Sequence, residues 1–251
     1  NFVRLAHYPH NEMMVRTAEQ MGLLVWEEIP VYWTIDWKNR ETYKNAESQL
    51  ADMIMRDKNR AATILWSIGN ETPVRDDRLD FMKNLALRAK EEDPTRLVTA
   101  ALEQHEESPD LRVVNDPLGK YLDVIGLNEY IGWYTGLPEK CLSTKWRIEY
   151  RKPLIISEFG ADALAGYHAD KLTRWSEEYQ QDMYEKQFVM LKKIETLRGV
   201  APWILKDFRS PRRPLPKIQD GWNRKGLVSE KGERKKAFYS LQGFYRDWGR
   251  L

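Results

Sequence analysis

Two glutamates close apolar runs in this chain: Glu71 ends Ile64-Leu-Trp-Ser-Ile-Gly-Asn-Glu71, and Glu158 follows Leu154-Ile-Ile-Ser and precedes Phe159-Gly160. A short apolar run bounded by Gly or Pro reads as a buried parallel strand. A carboxylate where such a strand runs out lies at the mouth of a parallel barrel, where that fold builds active sites. Two such carboxylates are the equipment for hydrolysing a glycosidic bond, one as acid and one as base or nucleophile. The acid must be partly desolvated to keep its proton near neutral pH. The nucleophile must be ionised and held, and Gly160 lets the chain turn sharply beside it. Asn70, next to Glu71, is placed to donate to a sugar hydroxyl beside the anomeric carbon. Each glutamate has a plainer reading alone: Glu71 as a cap for the helix after Pro73, and Glu158 as a buried partner of an arginine. Their joint occurrence at strand ends favours chemistry.

The elements that must position them alternate. Strand-like stretches lie near 1–7, 23–29, 62–69, 97–102, 123–128, 153–158 and 200–206, with helical patterns near 11–21, 45–58, 77–92, 138–149, 176–197 and 235–247. Leu79, Met82, Leu85, Ala86 and Ala89 form one apolar helix face, and Tyr184, Phe188, Leu191 and Ile194 another. Such alternation implies right-handed crossovers and a parallel sheet. A doubly wound open sheet fits less well, because no Gly-rich phosphate turn follows a strand. A closed barrel needs eight strands, and the chain opens with strand character at Asn1. We therefore expect an α/β fold, a (β/α)8 TIM barrel whose first strand and helix lie upstream of residue 1. Residues 1–251 form one catalytic domain of a longer protein on this reading. Long segments after strands, 30–44, 103–122 and 207–234, are expected to wall a pocket.

Composition narrows the function. Forty basic and 38 acidic residues give a net charge of +2, too weak a field to hold nucleic acid. No apolar run approaches the roughly 18–20 residues that span a bilayer. The one cysteine, Cys141, excludes an intrachain disulfide and leaves the compartment open between cytoplasm and periplasm or secretion. Ten Trp and twelve Tyr supply flat apolar platforms for sugars as well as core filler.

The chain resembles the catalytic barrel of glycoside hydrolase family 2, whose members carry Asn-Glu after the fourth strand and Glu after the seventh. Asn1-Phe-Val-Arg-Leu-Ala-His-Tyr-Pro9 is similar to that family's second strand, and Met21-Gly-Leu-Leu-Val-Trp-Glu-Glu-Ile-Pro30 to its third. The resemblance implies that Glu71 is the general acid/base and Glu158 the nucleophile of a retaining mechanism, with carboxyl groups about 5–5.5 Å apart. Asn128-Glu-Tyr-Ile-Gly-Trp-Tyr134 and Asn223-Arg-Lys-Gly226 are similar to motifs of the β-glucuronidase branch. In that branch Asn223 and Lys225 would bind the sugar carboxylate, for which an ammonium and an amide donor are apt. The same likeness makes His7 and Asn128 sugar contacts, Trp203 the ring beneath the sugar, and Tyr130 a donor to the nucleophile. Trp133 is expected to shape the wall, and Glu27 and Glu28 to be structural, one of them paired with Arg4.

Departures from the pattern stand at Glu129, Ile131 and Gln219. The branch has Arg at the first and last of these; Arg209, Arg212 or Arg213 are candidates to restore the charge, or to contact a longer substrate. The implied activity is an exo-β-glycosidase for terminal uronic acids, most simply β-glucuronides. The alternatives are a β-galacturonidase, a neutral-sugar β-galactosidase or β-mannosidase, and a carbohydrate-binding barrel weak on its own. No cofactor is implied. His7, His10 and Glu12 lack the helical two-His motif of a zinc hydrolase, so no metal is expected either. Upstream β-domains are implied to complete the pocket and to support a homo-oligomer.

Overall fold

The computed structural model describes residues 1–248. Two compact units are present, one of residues 1–107, 112–128 and 147–157, the other of 108–111, 129–146 and 158 onward.

In the first unit six strands follow one another across a sheet: β1 (Phe2–Leu5), β2 (Leu24–Glu28), β3 (Thr63–Asn70), β4 (Leu97–Leu102), β5 (Val124–Asn128) and β6 (Leu154–Glu158), whose last residue belongs to the second unit. The pairs β1–β2, β2–β3, β3–β4 and β4–β5 are parallel. Parallel neighbours need a crossover, supplied by α1 (Glu12–Gln20), α2 (Arg40–Asp57) and α3 (Asp76–Glu92) after the first three strands. Asn11 and Asn39 cap the first two helices by accepting from Met13 N and from Glu41 N and Thr42 N. Asp76 and Asp77 place acid in the first turn of α3, where the helix dipole favours it. Strands covered on both sides read as continuous apolar runs; Val25, Trp26, Leu65, Trp66 and Val98 are all buried. Arg78 of α3 is buried with them because Asp116 accepts two bonds from its guanidinium at 2.8 Å and Thr72 a third at 2.7 Å.

The second unit contains α4 (Glu177–Leu191), β7 (Leu197–Val200) and α5 (Lys236–Trp248). Ser176 caps α4 by accepting from Tyr179 N at 3.0 Å. Phe188 stacks on Phe244 of α5 with centroids 4.1 Å apart. Phe208–Arg209 and Trp222–Asn223 form a short antiparallel ladder.

Four local expectations need correction. The segment 138–149 carries one helical turn, Lys140–Ser143, and then the strand Lys145–Ile148, whose burial alternates with period two. β7 stops at Val200 rather than running to 206, since Pro202 has no N–H to give a ladder. α4 ends at Leu191, so Ile194 packs from beyond the helix. The stretch 103–122 holds strands His105–Ser108 and Leu111–Val114 and the 3-10 turn Pro117–Lys120 instead of open loop.

Candidate active site

In the first unit the site grows from the ends of β1, β2, β3 and β5. Alternate residues of a strand point to opposite sides, so Glu28 and Glu27 part company. Glu28 is fully buried and gathers five donors: Arg4 Nε and Nη2, His7 Nδ1 at 2.7 Å, Trp26 Nε1 at 3.0 Å and Ser67 Oγ at 2.8 Å. Burial pushes its carboxyl up, but Arg4, His7 and Ser67 outweigh that and hold it at about 2. Of the two glutamates expected to be structural, Glu28 is the one paired with Arg4. Glu27 points the other way, to Thr63, Arg56 and Asp57, and burial with the neighbouring Asp57 charge raises it to about 7.

Arg4 passes the order on. Its Nη2 donates to Asn70 Oδ1 at 2.8 Å, and Asn128 Nδ2 donates to the same oxygen at 2.9 Å. Asn128 Nδ2 also reaches Glu71 Oε1 at 2.9 Å, while its own Oδ1 accepts from Ser157 Oγ at 2.8 Å. The Asn70 amide N–H groups are therefore turned away from Arg4 and Asn128. Glu71, half-buried and at φ 47°, holds its second oxygen on Trp33 Nε1 at 3.1 Å. It does not cap α3, whose N-cap position is Arg75. Four sequence candidates, His7, Asn70, Glu71 and Asn128, share this one network. Glu103 stands nearby, its carboxyl raised by burial and by the charges of Glu71 and Asp116.

The second unit brings together the others. Tyr130 Oη donates to Glu158 Oε2 at 2.7 Å. Gly160, at φ 135°, has no room for a Cβ, which would lie 2.5 Å from Tyr184 Oη. Trp203 N donates to Phe159 O at 2.9 Å, which sets Trp203, just past β7 rather than ending it, beside that turn. Lys225 is buried; its Nζ donates to Asp162 Oδ2 at 2.5 Å and Tyr134 Oη at 2.8 Å and lies over the rings of Tyr130, Trp133 and Tyr134. Arg213 Nη2 reaches the same Tyr134 oxygen at 3.2 Å. Asn223 Oδ1 accepts from Lys225 N at 3.0 Å.

Beneath this loop Asp207 takes Lys235 Nζ at 2.9 Å and Gly226 N at 2.8 Å, and Lys235 also holds Arg224 O. Burial pushes the Asp207 carboxyl up and the Lys235 ammonium down. A Cβ on Gly226 would sit 2.2 Å from Asp207 N, so only glycine fits. Glu129 is buried on Ile131 N and Gln187, and Ile131 is buried too. Those two departures from the pattern therefore serve packing. Gln219 is also buried, while Arg213 is the loop arginine beside Tyr134.

Sequence reasoning did not single out Trp33, Glu103, Asp162 or Tyr134 as site residues. Tyr134 ends the Asn128–Tyr134 motif and could have been suspected from it; Trp33, Glu103 and Asp162 carry no motif. Among the described residues no group of three His, Cys, Asp or Glu is arranged to hold a metal ion, and no helix is long and apolar enough to cross a membrane.

Comparison with known proteins bears on both halves. The model of the family described as glycosyl hydrolases family 2, TIM barrel domain, matches residues 1–246. The chain belongs to glycoside hydrolase family 2. As a family 2 domain its strand–helix series is that of a (β/α)8 barrel. A β-glucuronidase of Sus scrofa is 31% identical over 261 residues, covering 98% of this chain and 38% of that protein. One from Paenibacillus borealis is 29% identical over 275 residues, covering 99% and 44%. Among solved structures, a family 2 β-galacturonidase from Eisenbergiella tayi bound to galacturonate superposes with TM-score 0.82 at 25% identity, covering 98% of this chain and 44% of that one. The β-glucuronidase of Dictyoglomus thermophilum gives 0.79 at 28%, covering 100% and 45%. The chain spans less than half the length of the relatives it matches.

Proposed function

We propose that residues 1–251 are the catalytic domain of a retaining exo-β-glycosidase that removes terminal β-linked uronic acids, with β-glucuronides as substrate. Glu71 protonates the leaving oxygen as Glu158 attacks the anomeric carbon; Glu71 then takes a proton from water, which releases the sugar from Glu158. The observation that carries the reading is the amide of Asn128 bridging Asn70 and Glu71, an arrangement a helix cap would not require. Tyr130 supports the nucleophile role of Glu158 by donating to one carboxyl oxygen, which fixes the orientation of the carboxylate. Asn70, His7 and Asn128 serve sugar hydroxyls, and Trp203 the ring face.

The uronate reading draws on Lys225 and Asn223, aided by Arg213. Lys225 and Arg213 both donate to Tyr134 Oη, and a substrate carboxylate taking the place of that oxygen would meet two cations. Asp162 compensates the buried ammonium when the sugar is absent. A second reading, β-galacturonide, is favoured by the galacturonate-bound relative of similar TM-score. The upstream β-domains and any homo-oligomer belong to the same proposal.

Nitrophenyl β-glucuronide, galacturonide, galactoside and mannoside, given to this chain and to the longer protein, test it. Hydrolysis of a uronide well above both neutral glycosides is expected; preference for a neutral glycoside would overturn the uronate reading.

A further inference from the structure

Trp33 of the first unit is not placed by core packing. Its side chain is 53% exposed, although large aromatic rings are mostly buried. Its φ is 56°, left-handed backbone that a bulky residue rarely adopts and that clusters at functional sites when found. The conformation is held from both sides: Asn70 N donates to Val31 O at 2.9 Å, Trp33 N donates to Asn70 O at 3.1 Å, and Tyr32 bridges to Asn70 as a short parallel extension of the sheet. The loop is thus sewn to the end of β3 so that the indole N–H meets Glu71 Oε2 at 3.1 Å. Tyr32 packs edge-on to Trp33 at 5.5 Å and lies 5.4 Å from His7, continuing an aromatic strip from the sugar contacts to the indole.

The two oxygens of Glu71 face different company. Oε1 is on the Asn128 amide, which with Asn70 serves the sugar; Oε2 is on the indole. A general acid stands where sugar and leaving group meet, so the neighbour of its other oxygen lies on the leaving-group side. We infer that Trp33 is the leaving-group subsite, an exposed platform for an aglycone with a flat apolar face, aryl or sugar ring, whose N–H also holds the acid in position. This rests on the acid/base role proposed for Glu71. It does not rest on which sugar is cleaved.

The test uses the purified protein and whichever glycone it prefers, as phenyl, cellobiosyl-type disaccharide and methyl glycosides. Trp33→Ala should raise KM about tenfold for the aryl or disaccharide substrate and leave KM for methyl near wild type, with kcat for methyl falling because the N–H on Glu71 is lost. Trp33→Phe should keep KM for the flat aglycones but lower kcat for the methyl glycoside, whose poor leaving group depends most on the acid. Thermal melting of both variants separates unfolding from these effects. An aryl-to-methyl KM ratio unchanged in Trp33→Ala would overturn the subsite while hydrolysis itself leaves the glycosidase reading intact. Hydrolysis of a neutral glycone would defeat only the uronate reading. Failure to hydrolyse any glycoside would overturn both.

Discussion

Replacing Glu28 by Gln removes the negative end of a chain of hydrogen bonds that runs through Arg4 to Asn70 and on to Asn128 and Glu71. The Glu28 carboxyl is held at about 2 rather than the usual 4.5, a preference for the charged form worth about 3 kcal/mol in a site with no solvent. A depressed carboxyl contributes its stability above about 4.5 and loses it as pH falls toward about 2. Glu28→Gln forfeits that contribution and leaves the Arg4 charge buried without its carboxylate, a loss typically about 3–5 kcal/mol. Urea unfolding at pH 7 should show the variant less stable by at least about 3 kcal/mol, and the gap should narrow as wild type is taken below pH about 4. Hydrolytic activity should fall further than stability explains, since Arg4 no longer aims the Asn70 amide. A gap under about 1 kcal/mol at pH 7, or one that stays constant into acid, would refute the reasoning.

Glu27 carries the opposite sign. Its carboxyl is raised to about 7 by burial and by Asp57, so its contribution is fully present below about 4.5 and is lost as pH rises through about 7. Glu27→Gln keeps the neutral form, and unfolding at pH 8 should find it more stable than wild type by about 1–3 kcal/mol, with no gain at pH 4.5. Lys225→Ala should cut kcat/KM for a nitrophenyl glucuronide by at least about 100-fold, the cost of one charge-assisted pair, while a nitrophenyl glucoside changes far less. Equal losses on both substrates, read from initial rates, would remove Lys225 from specificity.

The barrel strands were legible because buried parallel strands leave a run of apolar residues, and Glu71 and Glu158 stood out where those runs stop. That Arg4 pairs with one of Glu27 and Glu28 was also readable, as charges in neighbouring buried strands have to meet; which of the two it is, Glu28, came from the structure. Strand 145–148 was not, because one helical turn and a short edge share the same mixed composition. Trp33 looks in the sequence like any tryptophan of a polar loop; its role depends on a left-handed backbone that only contacts to Val31 and Asn70 enforce. Asp162 escaped because its partner Lys225 is 63 residues away and no local pattern announces the pair. Arg213 could be narrowed from three loop arginines only once the ladder 208–209 with 222–223 fixed which one approaches Tyr134.

The central claim is the covalent step proposed at Glu158. Incubation with a 2-deoxy-2-fluoro-glucuronyl fluoride, followed by proteolysis and mass spectrometry, reads it directly. The expected result is one sugar ester per chain, located on Glu158 and absent from Glu158→Gln. A label on another carboxylate, or turnover that inverts the anomeric centre with no label at all, would contradict it.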